Sequence, residues 1–190
     1  MLPQVRDKPI TRRTILSLRD AMSGAERAAA SAAIATRAIA RVRGSTIALY
    51  APKGSEVDTA AIDAAARATG ARVVYPRIDD PSRVLAFHAA TPGELRPARL
   101  GLREPAADPR TQVAIDQIET FVVPGLAFDR AGGRIGWGRG HYDATLAAAA
   151  GALRIGLAFE CQLVATVPHD DHDVRLHFVV TEVDTYRTPD

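Results

Sequence analysis

Cysteine, aromatic residues and a net charge of either sign are all scarce in this chain of 190 residues. Cys161 is the only cysteine, so neither an intrachain disulfide nor a cysteine pair for zinc can form, which excludes a disulfide-stapled secreted scaffold. Acidic and basic residues nearly balance, at 22 and 24, and aromatic residues make up 5%. We therefore expect no nucleic-acid partner, because an RNA-binding surface needs clustered cations with interleaved aromatic rings.

Long hydrophobic runs are also missing. The longest, residues 144–153, contains Thr145 and Gly151 and is too short to span a bilayer, and the first 13 residues offer no apolar signal core. Hydrophobic residues nevertheless make up 47% of the chain, enough for one sizeable core. We expect a monomeric cytoplasmic protein with a single domain over residues 1–190 and no membrane contact.

Lysine is rare as well: only Lys8 and Lys53 occur among the 24 basic residues. A lysine ammonium is a compact point charge suited to phosphate, whereas the arginine guanidinium is a planar fork. In a chain that otherwise uses arginine as its surface cation, both lysines are candidates for specific contacts, and chance is the alternative.

The periodicity of apolar residues predicts an α/β fold. Residues 10–42 predict two helices, separated at Ser23, which forms a capping box with Glu26. A strand–helix–strand unit follows, which favours parallel pairing with a right-handed crossover. Residues 91–111 are rich in proline and arginine and predict irregular structure. The other predictions are strands at residues 46–50, 71–75, 84–88, 118–123, 153–159 and 178–181, a helix from the N-cap Asp58 to Ala68 that Gly70 stops, a turn-rich stretch at 129–140, and a helix at 141–150.

Residues 132–143 carry the densest chemical signal, with five glycines and two arginines just before a predicted helix. Glycine lets a backbone approach a ligand closely, and N–H groups at a helix start point at anions, so this pattern predicts a phosphate cradle. A tight structural turn is the alternative. The block is neither a Walker A loop nor a dinucleotide fingerprint, because no Gly-Lys-Ser/Thr follows and His141 occupies the third glycine position. Asp143, in the first helical turn, is placed to reach a phosphate-bound magnesium ion or to interact with the helix dipole.

Other candidate residues follow predicted strands or share a helix face. Glu56 is placed to accept hydrogen bonds from a planar polar ring, or is a solvated acid at a helix start. Asp129 is a ligand contact or a turn-capping aspartate. Lys8 and Arg12, four residues apart, share a helix face and could grip a polyphosphate, although such pairs are often plain surface. The acidic, histidine-containing stretch at residues 169–173 is a weak metal candidate, and no serine or cysteine nucleophile motif occurs.

Together these pieces resemble the 5-formyltetrahydrofolate cyclo-ligase family, also called 5,10-methenyltetrahydrofolate synthetase, over nearly the whole chain. The most specific match is the glycine block, where the family has Arg, an aliphatic residue, glycines alternating with variable residues, two tyrosines and Asp. Other matches are Lys8 and Arg12 ahead of residues 18–23, Glu26-Arg27, Glu56 with Asp58-Thr59, Tyr75-Pro76-Arg77, residues 101–105, and Pro124-Gly125 with Phe128-Asp129.

The resemblance implies a three-layer α/β/α domain with a mostly parallel sheet and N-terminal helices, similar to glucosamine-phosphate deaminases, ribose-phosphate isomerases and CoA transferases. It implies ATP as co-substrate, Mg²⁺, and cyclisation of 5-formyltetrahydrofolate to 5,10-methenyltetrahydrofolate through a phosphorylated formyl group. By the same resemblance, the ATP contacts are Lys8, Arg12, Arg134, Gly136, Trp137, Gly138, Arg139, Gly140, His141 and Tyr142; Glu56 and residues 139–142 contact folate; Asp143 and, more weakly, Asp173 bind magnesium; Arg134 and Arg139 are catalytic.

Two positions depart from the family pattern. His141 replaces the first of the paired tyrosines, and His177 stands where the family commonly has an acid. A histidine at 141 keeps a ring and a hydrogen-bonding edge but is cationic at lower pH, which would alter folate affinity or pH dependence. The alternative function is therefore a relative that binds nucleotide or folate without this catalysis, or that acts on another substrate.

Overall fold

A computed structural model describes residues 2–3, 7–79, 81–170 and 173–188. In this part of the chain four α-helices surround an eight-stranded sheet and two small two-stranded sheets. The helices are α1 (Lys8–Ala21), α2 (Gly24–Ile39), α3 (Ala60–Ala68) and α4 (His141–Ala148). The strands are β1 (Thr46–Ala48), β2 (Arg72–Arg77), β3 (Ala86–Ala89), β4 (Arg96–Pro97), β5 (Arg103–Glu104), β6 (Gln112–Val113), β7 (Thr120–Val123), β8 (Ala127–Phe128), β9 (Arg134–Ile135), β10 (Leu153–Leu157), β11 (Phe178–Val180) and β12 (Thr185–Arg187).

The order of strands in the main sheet is β12-β11-β10-β7-β1-β2-β3-β6. Its five central strands, β11 to β2, run parallel, and antiparallel strands flank them on both sides. From β1 the chain first builds the sheet towards β2 and β3, then returns to the other side of β1 with β7 and β10. The carboxyl ends of β1 and β7 therefore form the switch point at which open α/β sheets bind ligands.

The side chains of the parallel strands alternate between two cores. Ile47 and Val73 face α2 and α3, whereas Ala48 and Val74 face the side on which Leu146 of α4 packs. The resulting helix–sheet–helix layering confirms the predicted three-layer α/β fold with a mostly parallel sheet. Among the described residues, no helix is long and apolar enough to cross a membrane.

A third, smaller core docks α1. Ile15 of α1 packs with residues of the β8–β9 hairpin and of the segment after β10, namely Ala127, Ile135, Val164 and Val167. The hairpin leads directly into the glycine block. Its packing therefore places one face of α1 beside that block.

Most local predictions are confirmed, with shifted boundaries. Ser23 and Glu26 form the predicted capping box, and Gly70 ends α3 with φ +82°. Thr59, and not Asp58, is the N-cap of α3, because its carbonyl oxygen accepts the backbone N–H of Asp63, whereas the Asp58 side chain accepts the N–H of Ala60, the first residue of the helix. The predicted 141–150 helix and most predicted strands are longer than those observed, whereas β2 extends two residues beyond the predicted end at residue 75. The sequence patterns missed β6, β12 and the β8–β9 hairpin, because each of these strands has two or three residues and is defined by its partner strand.

The capping box predicts a measurable stability loss. The N–H of Glu26 donates to Ser23 Oγ over 3.2 Å, and the N–H of Ser23 donates to Glu26 Oε2 over 2.7 Å. We expect Ser23→Ala to lower the free energy of unfolding in urea by about 1 kcal/mol, since it removes one of these caps. Thr36→Ala, on the exposed face of the same helix, serves as control and should leave stability unchanged or slightly raised. An equal loss in both variants would contradict the capping assignment.

Candidate functional site

The candidate site lies at the switch point, where the loop after β1 and the glycine block between β9 and α4 meet. Arg134 Nη2 donates to Asp143 Oδ1 over 2.7 Å, and its guanidinium lies 5.7 Å from the centre of the Tyr142 ring. The Arg134 side chain is only 5% exposed, yet its Nε has no hydrogen-bond partner in the described structure. A Cβ at Gly136 would lie 2.7 Å from Arg134 Nη1, so the guanidinium needs glycine at this position.

Cations from α1 approach the glycine block from the other side. Arg12 Nε donates to the carbonyl oxygen of Gly136 over 2.9 Å, and its guanidinium lies beside Gly138, which has φ +88°. One turn earlier, Lys8 Nζ lies 2.6 Å from Asp170 and 3.6 Å from Asp173. The hydrogen bond to the Asp170 carboxylate raises the pKa of Lys8. The structure thus brings Arg12 onto the glycine block, while Lys8 is held by two acids.

Glu56 is mostly enclosed and is bound from two sides. Its Oε2 accepts the backbone N–H of Lys53 at 2.9 Å, and its Oε1 lies 3.4 Å from Trp137 Nε1. Burial raises the pKa of Glu56, and these donors and the charge of Arg19 oppose that rise only in part. Burial, followed by the charge of Glu56, also raises the pKa of Tyr142. Glu56 is therefore mostly enclosed, with Trp137 and Tyr142 as neighbours, and is not a solvated acid at a helix start.

Arg19 is a site residue that the sequence analysis did not single out. It is a fully buried arginine of α1, and its Nε donates to Ser55 Oγ over 2.9 Å in the same loop as Glu56. A helical signal was available, because Arg19 follows the buried Ile15 by four residues and so shares its inward face. In the sequence, however, Arg19 is one of several charged residues in a charged helix, and this surrounding favours an exposed position.

The irregular segment at residues 92–109 folds over this edge of the sheet. Lys53 Nζ donates to the carbonyl oxygen of Leu100, and Arg77 Nη1, at the end of β2, donates to that of Pro105 over 3.0 Å. Arg77 also lies 3.7 Å from Glu104. The segment, whose position the sequence did not indicate, is therefore held against Lys53 and Arg77, in the loop that carries Glu56 and at the end of β2.

The structure decides the open alternative at Asp129. The buried Asp129 carboxylate accepts the backbone N–H groups of Ala131, Gly133 and Val167 at 2.7–3.0 Å, so it caps the β8–β9 turn and is not available to a ligand. In the stretch at 169–173, residues 171 and 172 lie outside the described residues. The described residues contain no group of three or more His, Cys, Asp or Glu side chains suited to a metal ion.

The remaining predicted residues lie at different distances from this centre. Arg139 is exposed in the turn before α4, and Gly140 is the helix N-cap with φ +72°. His141 Nδ1 lies 3.0 Å from the carbonyl oxygen of Arg83. His177 contacts Arg154 near the start of β10, where its Nδ1 accepts the backbone N–H, and is thus set apart from the carboxyl ends of the strands.

The fold and this cluster define an α/β domain whose arginines, glycines and carboxylates gather at the switch point of its sheet. Residues 4–182 match the model of the 5-formyltetrahydrofolate cyclo-ligase family. A 5-formyltetrahydrofolate cyclo-ligase of Mycolicibacterium smegmatis is 36% identical over 74% of this chain and 75% of its own, and that of Escherichia coli K12 is 31% identical over 72% and 77%. The NMR structure of Aquifex aeolicus 5,10-methenyltetrahydrofolate synthetase superposes with a TM-score of 0.81 at 26% identity, covering 96% of this chain and 93% of that one.

The chain therefore belongs to the 5-formyltetrahydrofolate cyclo-ligase family, as the resemblance implied, and it is a ligase by that membership.

The raised pKa of Glu56 predicts a pH-dependent gain in stability for Glu56→Gln. A carboxyl group whose pKa rises on folding stabilises the fold below its unfolded pKa and loses that contribution as pH rises through the folded pKa. We expect Glu56→Gln to have a higher free energy of unfolding in urea than the wild type at pH 8. The difference in free energy between the two proteins should become smaller towards pH 5. Glu119→Gln is the control of opposite sign, since hydrogen bonds from Ser45 lower the pKa of Glu119, and this variant should lose stability at pH 8. A Glu56→Gln variant less stable than the wild type at pH 8 would contradict the dominance of burial.

Proposed function

We propose that this protein cyclises 5-formyltetrahydrofolate to 5,10-methenyltetrahydrofolate, using ATP and Mg²⁺ and releasing ADP and phosphate. The observation that carries the proposal is the buried Arg134 guanidinium. Its Nε–H has no hydrogen-bond partner among the described residues, and it lies beside Asp143 at the start of the helix that follows the glycine block. A buried guanidinium with an unpaired donor costs free energy, and the charge of a phosphate group bound beside it would offset that cost.

The reaction needs no protein nucleophile. The formyl oxygen attacks the γ-phosphorus of ATP, the bond to the β-phosphate oxygen breaks, and ADP leaves. N10 of the resulting iminium phosphate then adds to the former formyl carbon and loses its proton, and cleavage of the carbon–oxygen bond releases phosphate and leaves the methenyl product. Such a transfer asks the protein for positioning and charge neutralisation. This accords with a site built of arginines, glycine N–H groups and carboxylates.

ATP would lie along the glycine block, with its phosphates between the block and α1. Arg12 already contacts the block at Gly136, and Lys8 would exchange its exposed partner Asp170 for a phosphate oxygen. Gly140 as N-cap offers no side-chain oxygen to the first N–H groups of α4, so these remain for an anion. The other proposed ATP contacts are Arg134, Trp137, Gly138, Arg139, His141 and Tyr142, with Arg134 and Arg139 neutralising charge on the transferred phosphoryl group.

Asp143 fits a magnesium ion bound to these phosphates. Its carboxylate is 28% exposed, holds Arg134 through Oδ1, and stands in the first turn of α4. One carboxylate suffices for magnesium, which keeps several waters and takes its other oxygens from the substrate. When bound, the ion would offset the charge of the β- and γ-phosphates. Asp173 stays a second candidate, next to Lys8.

The folate ring would lie against Glu56. This carboxylate is mostly buried beside Tyr142 and Trp137, and a ring N–H is a donor that suits such an acceptor. His141, one residue before Tyr142, would replace a tyrosine at the rim and make folate binding sensitive to its protonation. Residues 139 and 140 complete the proposed folate contacts.

The direct test is the absorbance rise of methenyltetrahydrofolate when the protein meets 5-formyltetrahydrofolate, ATP and magnesium. We expect product only with ATP, and a loss of kcat/KM of about 100-fold or more in Asp143→Asn, because a metal ion contributes several kcal/mol of charge stabilisation. Asp116→Asn, an exposed acid in the turn before β7, is the control and should retain activity. No product from folded protein at high concentration would reject the proposal and favour a binding or altered-substrate relative, with His141→Tyr as the next variant.

The α1 cations give a second prediction. We expect Lys8→Ala and Arg12→Ala each to raise the KM for ATP by about ten-fold or more, the size of one charge-assisted hydrogen bond, with the KM for the folate nearly unchanged. Arg13→Ala is the matched control, because Arg13 is exposed and adjacent. An unchanged KM for ATP in either variant would remove that residue from the site.

A further inference from the structure

Lys53 is the one of the two lysines that the proposed reaction does not use, and it makes three contacts at the site. Its ammonium nitrogen lies 5.3 Å from the centre of the Trp137 ring and donates to the carbonyl oxygen of Leu100. Its backbone N–H donates to Glu56 Oε2 over 2.9 Å. One residue thus touches the glycine block, the 92–109 segment and the proposed folate contact.

The turn that Lys53 holds has an unusual backbone. Leu100 has φ +62°, and no other described residue except glycine has a positive φ. Gly101 follows with φ +68°, and a Cβ there would come within 3.5 Å of Lys53 Cε. A left-handed leucine persists only where surrounding contacts enforce it, and such positions cluster at ligand clamps. The bond from Lys53 to the Leu100 carbonyl is such a contact.

Two large apolar side chains lie exposed on either side of Lys53. Trp137 is 48% exposed and Leu100 is 46% exposed. The indole also reaches Glu56, since Trp137 Nε1 lies 3.4 Å from Oε1. A flat ring bound to Glu56 would therefore meet the indole, and neighbouring exposed apolar groups are typical of a binding surface.

We propose that Lys53 is a positioning residue, which holds the Trp137 indole and the Leu100 turn beside Glu56 and thereby sets the affinity for the folate substrate. The inference rests on the proposed function only for the identity of that substrate. The Lys53 ammonium contacts the π face of the Trp137 indole and donates to the carbonyl oxygen of Leu100. The positions of the indole and of the Leu100 turn therefore both depend on this one side chain.

The test compares Lys53→Met with Lys53→Arg, which keeps a cation and donors. Trp137 is the only tryptophan, so intrinsic emission reports on this contact alone. In the free protein, we expect Lys53→Met to shift the emission and to increase acrylamide quenching, while Lys53→Arg stays near the wild type. In turnover, we expect Lys53→Met to raise the KM for 5-formyltetrahydrofolate by about two- to five-fold, the size of an exposed cation–π contact, with kcat and the KM for ATP little changed.

Arg41→Met is the matched control. Arg41 lies 5.4 Å over the ring of Phe178, so this variant also removes one positive charge and one cation–π contact, but just before β1 begins and away from the site. It should leave Trp137 emission and the KM for folate unchanged. Urea unfolding of both variants separates global destabilisation from the local effect.

Two results would overturn the inference. One is a Lys53→Met protein whose emission and quenching match those of Arg41→Met, and the other is a changed emission without any rise in the KM for folate. Absence of turnover in the wild type would instead reject the proposed function. The emission comparison on the free protein then decides separately whether Lys53 holds Trp137.

Discussion

The hydrogen bond from Arg12 Nε to the carbonyl oxygen of Gly136 joins two parts of the chain that are 124 residues apart. It has the geometry it needs because Ile15 docks α1 on the β8–β9 hairpin, from which the glycine block continues. The block in turn places Arg134 under Asp143 and Trp137 beside Glu56. An α1 that packed elsewhere would remove the contacts of Arg12 with Gly136 and of Arg19 with Ser55, so the candidate site depends on that helix as well as on the sheet.

Glycine has two separate roles in this arrangement. At Gly138 the backbone has a positive φ and the Arg12 guanidinium lies against it, whereas at Gly136 the requirement is space for Arg134. A side chain at Gly136 would force the Arg134 guanidinium to shift, and one at Gly138 would press against that of Arg12. The glycines thus leave room for the two arginine side chains, and the positive charges of these arginines define where an anion is attracted.

Features that depend on neighbours in sequence were predictable, and features that depend on distant partners were not. The capping box of Ser23 and the glycine block are local patterns, and the chain adopts both. The role of Arg19 was not predicted, because its buried partner Ser55 lies 36 residues away in the chain. The Leu100 turn was not predicted either, because Lys53 holds it from another loop. Asp129 shows the intermediate case: its position after a strand was clear, but only three backbone N–H groups show that it caps a turn.

The main sheet ends on both sides in a very short antiparallel strand. β6 has two residues and β12 has three, and each covers the outer side of a neighbour, β3 or β11. An exposed sheet edge is a template on which another chain adds strands, and its capacity grows with the length of its unpaired backbone. Edges of two and three residues offer few such groups. The parallel centre, which carries the apolar β-branched sequences most prone to stacking, is in this way kept from propagating into aggregates.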